Sequence, residues 1–155
     1  MRKRHILGAV AVATALGAQS AGAAGDPVAT VKADLAKLQA DVARARATIV
    51  PDAQKLAADA AAAKGSTKAQ AAAAVKPDVA QLRSDLKAAR MQLAADRAQL
   101  KSDRAALKGV TGARKQLLPV VKSTHAAVKT DKAAIRSALM QARQAVEDLR
   151  ASFKK

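Results

Sequence analysis

Apolar residues in the first third of the chain recur at alternating spacings of three and four. They are Val28, Val31, Leu35, Leu38, Val42, Ala45 and Ile49. This spacing places all of them on one face of a helix and is the a/d pattern of a coiled coil. The pattern therefore predicts a long amphipathic helix.

Two later stretches carry a similar rhythm. In the second, one position of the repeat is filled by Ala72, Val79, Leu86, Leu93, Leu100 and Leu107 and the other by Val75, Leu82, Ala89, Asp96 and Asp103. In the third, the apolar positions are Leu118, Val121, Val128, Ile135, Leu139, Ala142, Val146, Leu149 and Phe153. Alanines fill the seam on both sides of the first turn, which lets two helices approach closely. The chain thus predicts three helices.

Glycine and proline mark the boundaries of these helices. Asp26-Pro27 is a helix start, Gly65-Ser66-Thr67 is a stop and restart with a capping box from Thr67 to Gln70, and residues 109–112 form a second turn. We expect helices at about 27–64, 67–108 and 113–153, each roughly 60 Å long. Pro51 and Pro77 are interpreted as kinks at the same level of an antiparallel hairpin; the alternative is four or five shorter helices. The predicted fold is all-α, an antiparallel three-helix bundle or coiled coil.

The N-terminus has the features of a secretory signal. MRKRH is cationic, residues 6–18 are apolar, and Ala21-Gly22-Ala23 provides small residues for cleavage. The apolar run is shorter than the roughly 20 residues that span a membrane; an uncleaved amphipathic anchor is the alternative. We expect a signal peptide at 1–23, a mature domain at 24–155, no transmembrane segment, and a location in the periplasm, the cell envelope or outside the cell.

The composition gives catalysis little to use. The chain has no Cys, Tyr or Trp and one Phe, so flat π surfaces for bases, sugars and most cofactors are missing. The predicted mature chain has one histidine, His125, and one glutamate, Glu147. These residues form no triad and no metal-ligand spacing. We expect no enzymatic activity, no catalytic or metal site, no cofactor and no small-molecule substrate.

The charge is strongly positive. The predicted mature chain holds 25 basic and 12 acidic residues, a net charge of +13. Arg83, Arg90, Arg97 and Arg104 recur every seven residues, about 10.5 Å apart along a helix. Such a row can bind phosphate or sulfate groups of a polyanion. The alternative is that these arginines flank the leucine seam and pair with aspartates of a neighbouring helix.

Asp96 and Asp103 occupy positions where a seam usually holds an apolar residue. Folding the second and third helices back on each other would bring Asp96 opposite His125. We therefore predict a buried Asp96–His125 pair that fixes the helix register; the alternative is that this end is frayed and both groups are solvated.

These observations favour an exported, non-enzymatic helical protein that acts as a structural or interaction module of the bacterial periplasm or cell envelope. One alternative is a polyanion-binding protein whose target is a nucleic acid, an anionic envelope polymer or a membrane surface. Another is a small periplasmic holdase-like chaperone. A protein partner or self-association through the helix seam is compatible with each.

Overall fold

Three long helices account for most of residues 25–154, the part of the chain that the computed structural model describes. They are α1 (Pro27–Ala62), α2 (Lys68–Ala105) and α3 (Ala113–Ser152). Their bounds lie within three residues of those expected from the sequence, and the helix–helix contacts confirm the predicted all-α three-helix bundle. The predicted signal peptide, residues 1–23, lies outside the described residues.

Local side-chain chemistry explains where the helices begin and end. The Asp26 carboxylate accepts a hydrogen bond of 2.9 Å from the backbone N–H of Val28 and so caps α1. Thr67 and Gln70 form the expected capping box at the start of α2. Gly65 has a φ of +90°, a left-handed conformation that side chains disfavour, and it makes the first turn possible.

Each helix continues through an internal proline. Pro51, Pro77 and Pro119 lie inside α1, α2 and α3, so the described residues form three long helices and not four or five. The expectation that Pro51 and Pro77 share a level is wrong. Pro51 precedes Asp52, which faces Asp85 across the hairpin, and Pro77 precedes Asp78, which faces Asp59. The two prolines are therefore about two and a half helical turns apart along the hairpin.

Helix α1 is the central element of the bundle. It packs against both α2 and α3, whereas within the described residues the α2 and α3 backbones approach no closer than 8 Å, Cα to Cα. Apolar clusters of all three helices follow α1 along its length. The apolar seam of α3 begins one residue earlier than expected, because Leu117 is buried and Leu118 is 48% exposed. The side chains of α2 and α3 therefore fill only part of the space between these two helices.

Candidate functional site

An eight-residue motif occurs four times in the α1–α2 hairpin. The copies are DLAKLQAD at 34–41, DAQKLAAD at 52–59, DVAQLRSD at 78–85 and DRAQLKSD at 96–103. Each begins and ends with aspartate, with leucine at its fifth position. The two copies in each helix start 18 residues apart, which is five turns of 3.6 residues, so they present the same face. This repeat is the sequence signal for a site that the heptad pattern alone does not identify.

The eight aspartates of the motif meet in four pairs across the α1–α2 interface. The pairs are Asp34 with Asp103, Asp41 with Asp96, Asp52 with Asp85, and Asp59 with Asp78. All eight residues are buried or partly buried. We call these pairs the polar seam. Because the two helices are antiparallel, each copy of the motif faces another copy in reverse.

A lysine of α1 bridges two of the four pairs. Lys37 binds Asp41 at 3.0 Å and also binds Asp96, and Lys55 binds Asp59 and Asp78 at 2.7 Å each. Both lysines occupy the fourth position of their motif, and their arrangement repeats after five turns. Each ammonium group thus lies between two carboxylates, and Asp41 also binds Arg44 at 2.5 Å, so a nearby cation offsets part of the cost of burying these groups.

The bridging lysines shift the titration of their partners. Burial pushes the pKa of Asp41 upward, but the hydrogen bonds that Lys37 and Gln92 donate to its carboxylate hold the pKa below its ordinary value. The hydrogen bond from Lys55, followed by the one with Asp78, lowers the pKa of Asp59. The hydrogen bonds to the carboxylates raise the pKa of both lysines, chiefly through Asp96 for Lys37 and through Asp59 for Lys55. Lys37, Lys55 and the Asp41 and Asp59 carboxylates that they bind are therefore charged at neutral pH.

The other two pairs have no bridging lysine. A glutamine of α2 takes the fourth position of the motif: Gln99 donates to Asp103 at 2.7 Å and Gln81 donates to Asp85 at 2.8 Å. Burial, and then the hydrogen bond with Asp103, raise the pKa of Asp34. The hydrogen bond with Asp85, and then burial, raise the pKa of Asp52. In each of these pairs the nearby carboxylate of α2 favours a proton on the α1 aspartate, which the two groups can share.

The predicted Asp96–His125 pair does not form. Asp96 is 5% exposed and accepts hydrogen bonds from Lys37 of α1 and from Gln92 of its own helix. His125 is exposed on α3. The expectation that Asp96 is a buried polar residue was correct, whereas its partner was wrongly assigned, because α2 packs against α1 and not directly against α3.

Because the aspartates of α2 face α1, the exposed surface of α2 is cationic. All four aspartates of this helix belong to the polar seam, and its eight lysines and arginines are exposed. None of these eight cations forms an ion pair with any residue between 25 and 154. Arg83, Arg90, Arg97 and Arg104 are among them, so the alternative in which they pair with aspartates of a neighbouring helix is not realised. Lys76 extends this row by one more step of seven, and we call the five residues the α2 ladder.

A second row of cations runs along α3. Lys115, Lys122, Lys129, Arg136, Arg143 and Arg150 also recur every seven residues, and all six are exposed. Within the described part of the chain only Arg143 of this α3 ladder has an acidic partner, Glu147 at 2.8 Å. Two of the three acidic residues of α3 pair with cations outside that helix: Asp131 binds Arg46 at 2.9 Å, and Asp148 lies 3.9 Å from Lys64.

A groove separates α2 and α3 at the end of the bundle where α2 begins. It has a volume of about 480 Å³. Its lining residues, which come from these two helices and the residue that follows α3, are Lys68, Ala71, Ala72, Val75, Lys76, Val79, Ala80, Arg83, Leu149, Arg150 and Phe153. Members of both ladders therefore stand at the edge of one apolar depression.

Comparison of the chain with protein-family models, with curated proteins and with solved structures gave no match. Residues 25–154 contain no group of three or more His, Cys, Asp or Glu side chains suited to holding a metal ion. Within the same range, no helix combines the length and the apolar character that crossing a membrane requires. What stands out chemically is the separation of charge, with carboxylates inside the hairpin and cations outside it.

Proposed function

We propose that this protein is an exported, non-enzymatic interaction module of the cell envelope that binds a linear polyanion through the α2 ladder. The observation that carries the proposal is that Arg83, Arg90, Arg97 and Arg104 are exposed without carboxylate partners among the described residues. Forming the polar seam removes every acidic side chain of α2 from its outer surface. The helix then presents a row of charge of one sign.

The spacing of the ladder supports a polymer as the target. Successive arginines stand about 10.5 Å apart, and the row from Lys76 to Arg104 is about 42 Å long. A small anion would bind one cation of the row, whereas a chain of regularly spaced phosphates or carboxylates can contact several of them and release counterions at each contact. Guanidinium groups suit this task because they form paired hydrogen bonds with such oxyanions.

The absence of Tyr and Trp from the sequence favours an envelope polymer over a single-stranded nucleic acid. Proteins that bind single-stranded nucleic acid stack bases on aromatic side chains, and the one Phe of this chain, Phe153, lines the groove. The proposed export signal would bring the protein to the compartment that holds anionic envelope polymers. The holdase-like alternative rests on size and charge alone, and no contact described above favours it.

Salt-dependent binding to heparin tests this proposal. We expect the affinity of residues 24–155 to fall steeply with salt, and Arg90→Gln with Arg97→Gln to reduce the log–log slope by about one per lost contact. The same double variant should weaken binding at low salt by about tenfold or more.

Lys122→Gln with Lys129→Gln is the matched control, because it removes two charges at the same spacing from α3. We expect this variant to have a clearly smaller effect than the α2 variant. Equal losses would show that diffuse charge and not the α2 ladder governs binding, and salt-insensitive behaviour would leave only a structural role.

A further inference from the structure

The groove between α2 and α3 arises from a change in side-chain size along α2. One column of α2 holds leucine at positions 86, 93, 100 and 107 but only Val79 and Ala72, which line the groove, toward the start of the helix. Smaller side chains leave space where two helices both pack on α1 and not on each other. The vacant volume of about 480 Å³ lies at this tapered end.

The floor of the groove is apolar. Ala71 and Leu149 are buried at its base, where they pack with Ala60 of α1 and with Ala63, which follows that helix. Val75, Val79 and Phe153 are partly exposed around them. Water covering these side chains gains no hydrogen bond from them, so an apolar group that displaces it is stabilised by about 25 cal/mol per Å² of buried surface.

The rim of the groove is cationic. Lys68, Lys76 and Arg83 contribute from α2 and Arg150 contributes from α3, and each of these four is exposed. None has a carboxylate within ion-pair distance in the described chain, and no acidic residue is found among the groove's lining residues. The site thus combines an apolar floor with positive charge at its edge.

We propose that this groove binds an anionic single-chain amphiphile, with the acyl chain on the floor and a carboxylate or phosphate head against the rim cations. Its volume lies within the range of small-molecule pockets, about 300–1,000 Å³. A helix 10 Å across and 20 Å long would need roughly 1,500 Å³. An unbranched hydrocarbon suits a floor that offers no polar group for orientation. This inference goes beyond the proposed function and does not depend on it.

Calorimetric titration of residues 24–155 with laurate and with dodecyl phosphate, both below their micelle concentrations, tests the proposal. Binding of both indicates recognition of the shared anionic head, and the tighter of the two identifies the preferred head group. Dodecyl maltoside, with a neutral head, should bind at least tenfold more weakly. Shortening laurate to decanoate should weaken binding by roughly fourfold per methylene removed. Equal binding of the maltoside, or no dependence on chain length, would overturn the proposal.

A pair of alanine substitutions locates the site. Ala72 and Ala73 are both exposed, but only Ala72 lines the groove. We expect Ala72→Phe to fill the space and reduce laurate affinity by tenfold or more, while Ala73→Phe leaves it unchanged and both variants keep the helical circular dichroism of the parent. Equal effects of the two substitutions, or tight binding of an acidic helical peptide in place of laurate, would contradict it.

Failure of this inference is distinguishable from failure of the polyanion proposal. Ala72→Phe should leave heparin retention unaltered, and Arg90→Gln with Arg97→Gln should leave laurate binding unaltered, because these two arginines do not line the groove.

Discussion

The two aspartates of the motif at 52–59 differ in the charged groups that surround them. Asp59 shares Lys55 with Asp78, whereas Asp52, which begins the same motif, faces Asp85 with no bridging lysine. The raised pKa of Asp52 means that the folded state holds its proton more tightly than the unfolded state. Its stabilising contribution is present at low pH and is lost as the pH rises through the folded-state pKa. Asp59 has a lowered pKa, so its contribution is present at neutral pH and is lost as the pH falls through the folded-state value.

Asp52→Asn should therefore stabilise the protein at neutral pH. An amide can donate to the Asp85 carboxylate without a shared proton, and we expect a gain of about 1 kcal/mol in the free energy of unfolding. Asp59→Asn is the matched control from the same motif and should destabilise, because it removes a charged partner of Lys55. Urea denaturation at pH 7 and pH 4 measures both. A gain from Asp52→Asn that is as large at pH 4 as at pH 7 would show that proton sharing is not the cause.

Within the elements, the periodic pattern and the turn residues are sufficient to predict the three helices, their caps and their order. They do not say which neighbour a polar position faces. The face of α2 that carries Asp96 points toward the interior of the bundle, and whether it meets α1 or α3 depends on which helix packs closer. The groove was not predictable for the same reason, since it depends on the separation of α2 and α3. The mirrored aspartates of the four motifs do indicate the α1–α2 pairing.

The motif spacing also bears on the shape of the helices. Aspartates in both α1 and α2 are separated by seven, eleven and seven residues. Seven plus eleven residues make five turns at 3.6 residues per turn, the period of a straight helix, whereas an unbroken heptad repeat would impose a left-handed supercoil. The polar seam therefore favours nearly straight helices in this hairpin.

Gly65→Ala tests the turn between these two helices. The φ of +90° at Gly65 is costly for alanine, and an added Cβ would meet no other atom within 4 Å, so any effect comes from the backbone alone. We expect a loss of about 1–2 kcal/mol. Gly25→Ala serves as control, because Gly25 has equally open surroundings without a positive φ. Thermal unfolding monitored by circular dichroism compares them, and similar melting temperatures for the two variants would show that the left-handed turn is not required.

Across the whole molecule, the polar seam buries carboxylates, and the cations that remain on the surface repel one another. The two ladders place eleven cations on α2 and α3, and of these only Arg143 has an acidic partner in residues 25–154. At the Lys37 bridge of the polar seam the carboxylates are shielded from solvent, since the Asp41 and Asp96 side chains are 6% and 3% exposed. Added salt screens exposed charges far more than buried ones. Repulsion between the ladders should therefore weaken with salt while the seam remains.

We consequently expect the melting temperature of residues 24–155 to rise between 20 mM and 500 mM NaCl, by several degrees if about 1 kcal/mol of repulsion is removed. Arg90→Gln with Arg97→Gln should melt higher than the parent at 20 mM NaCl and gain less from salt, because part of the repulsion is already gone. Scans in sodium chloride with light scattering on the same samples separate this effect from association. A melting temperature that falls with salt would mean that the attraction within the polar seam exceeds the repulsion outside it.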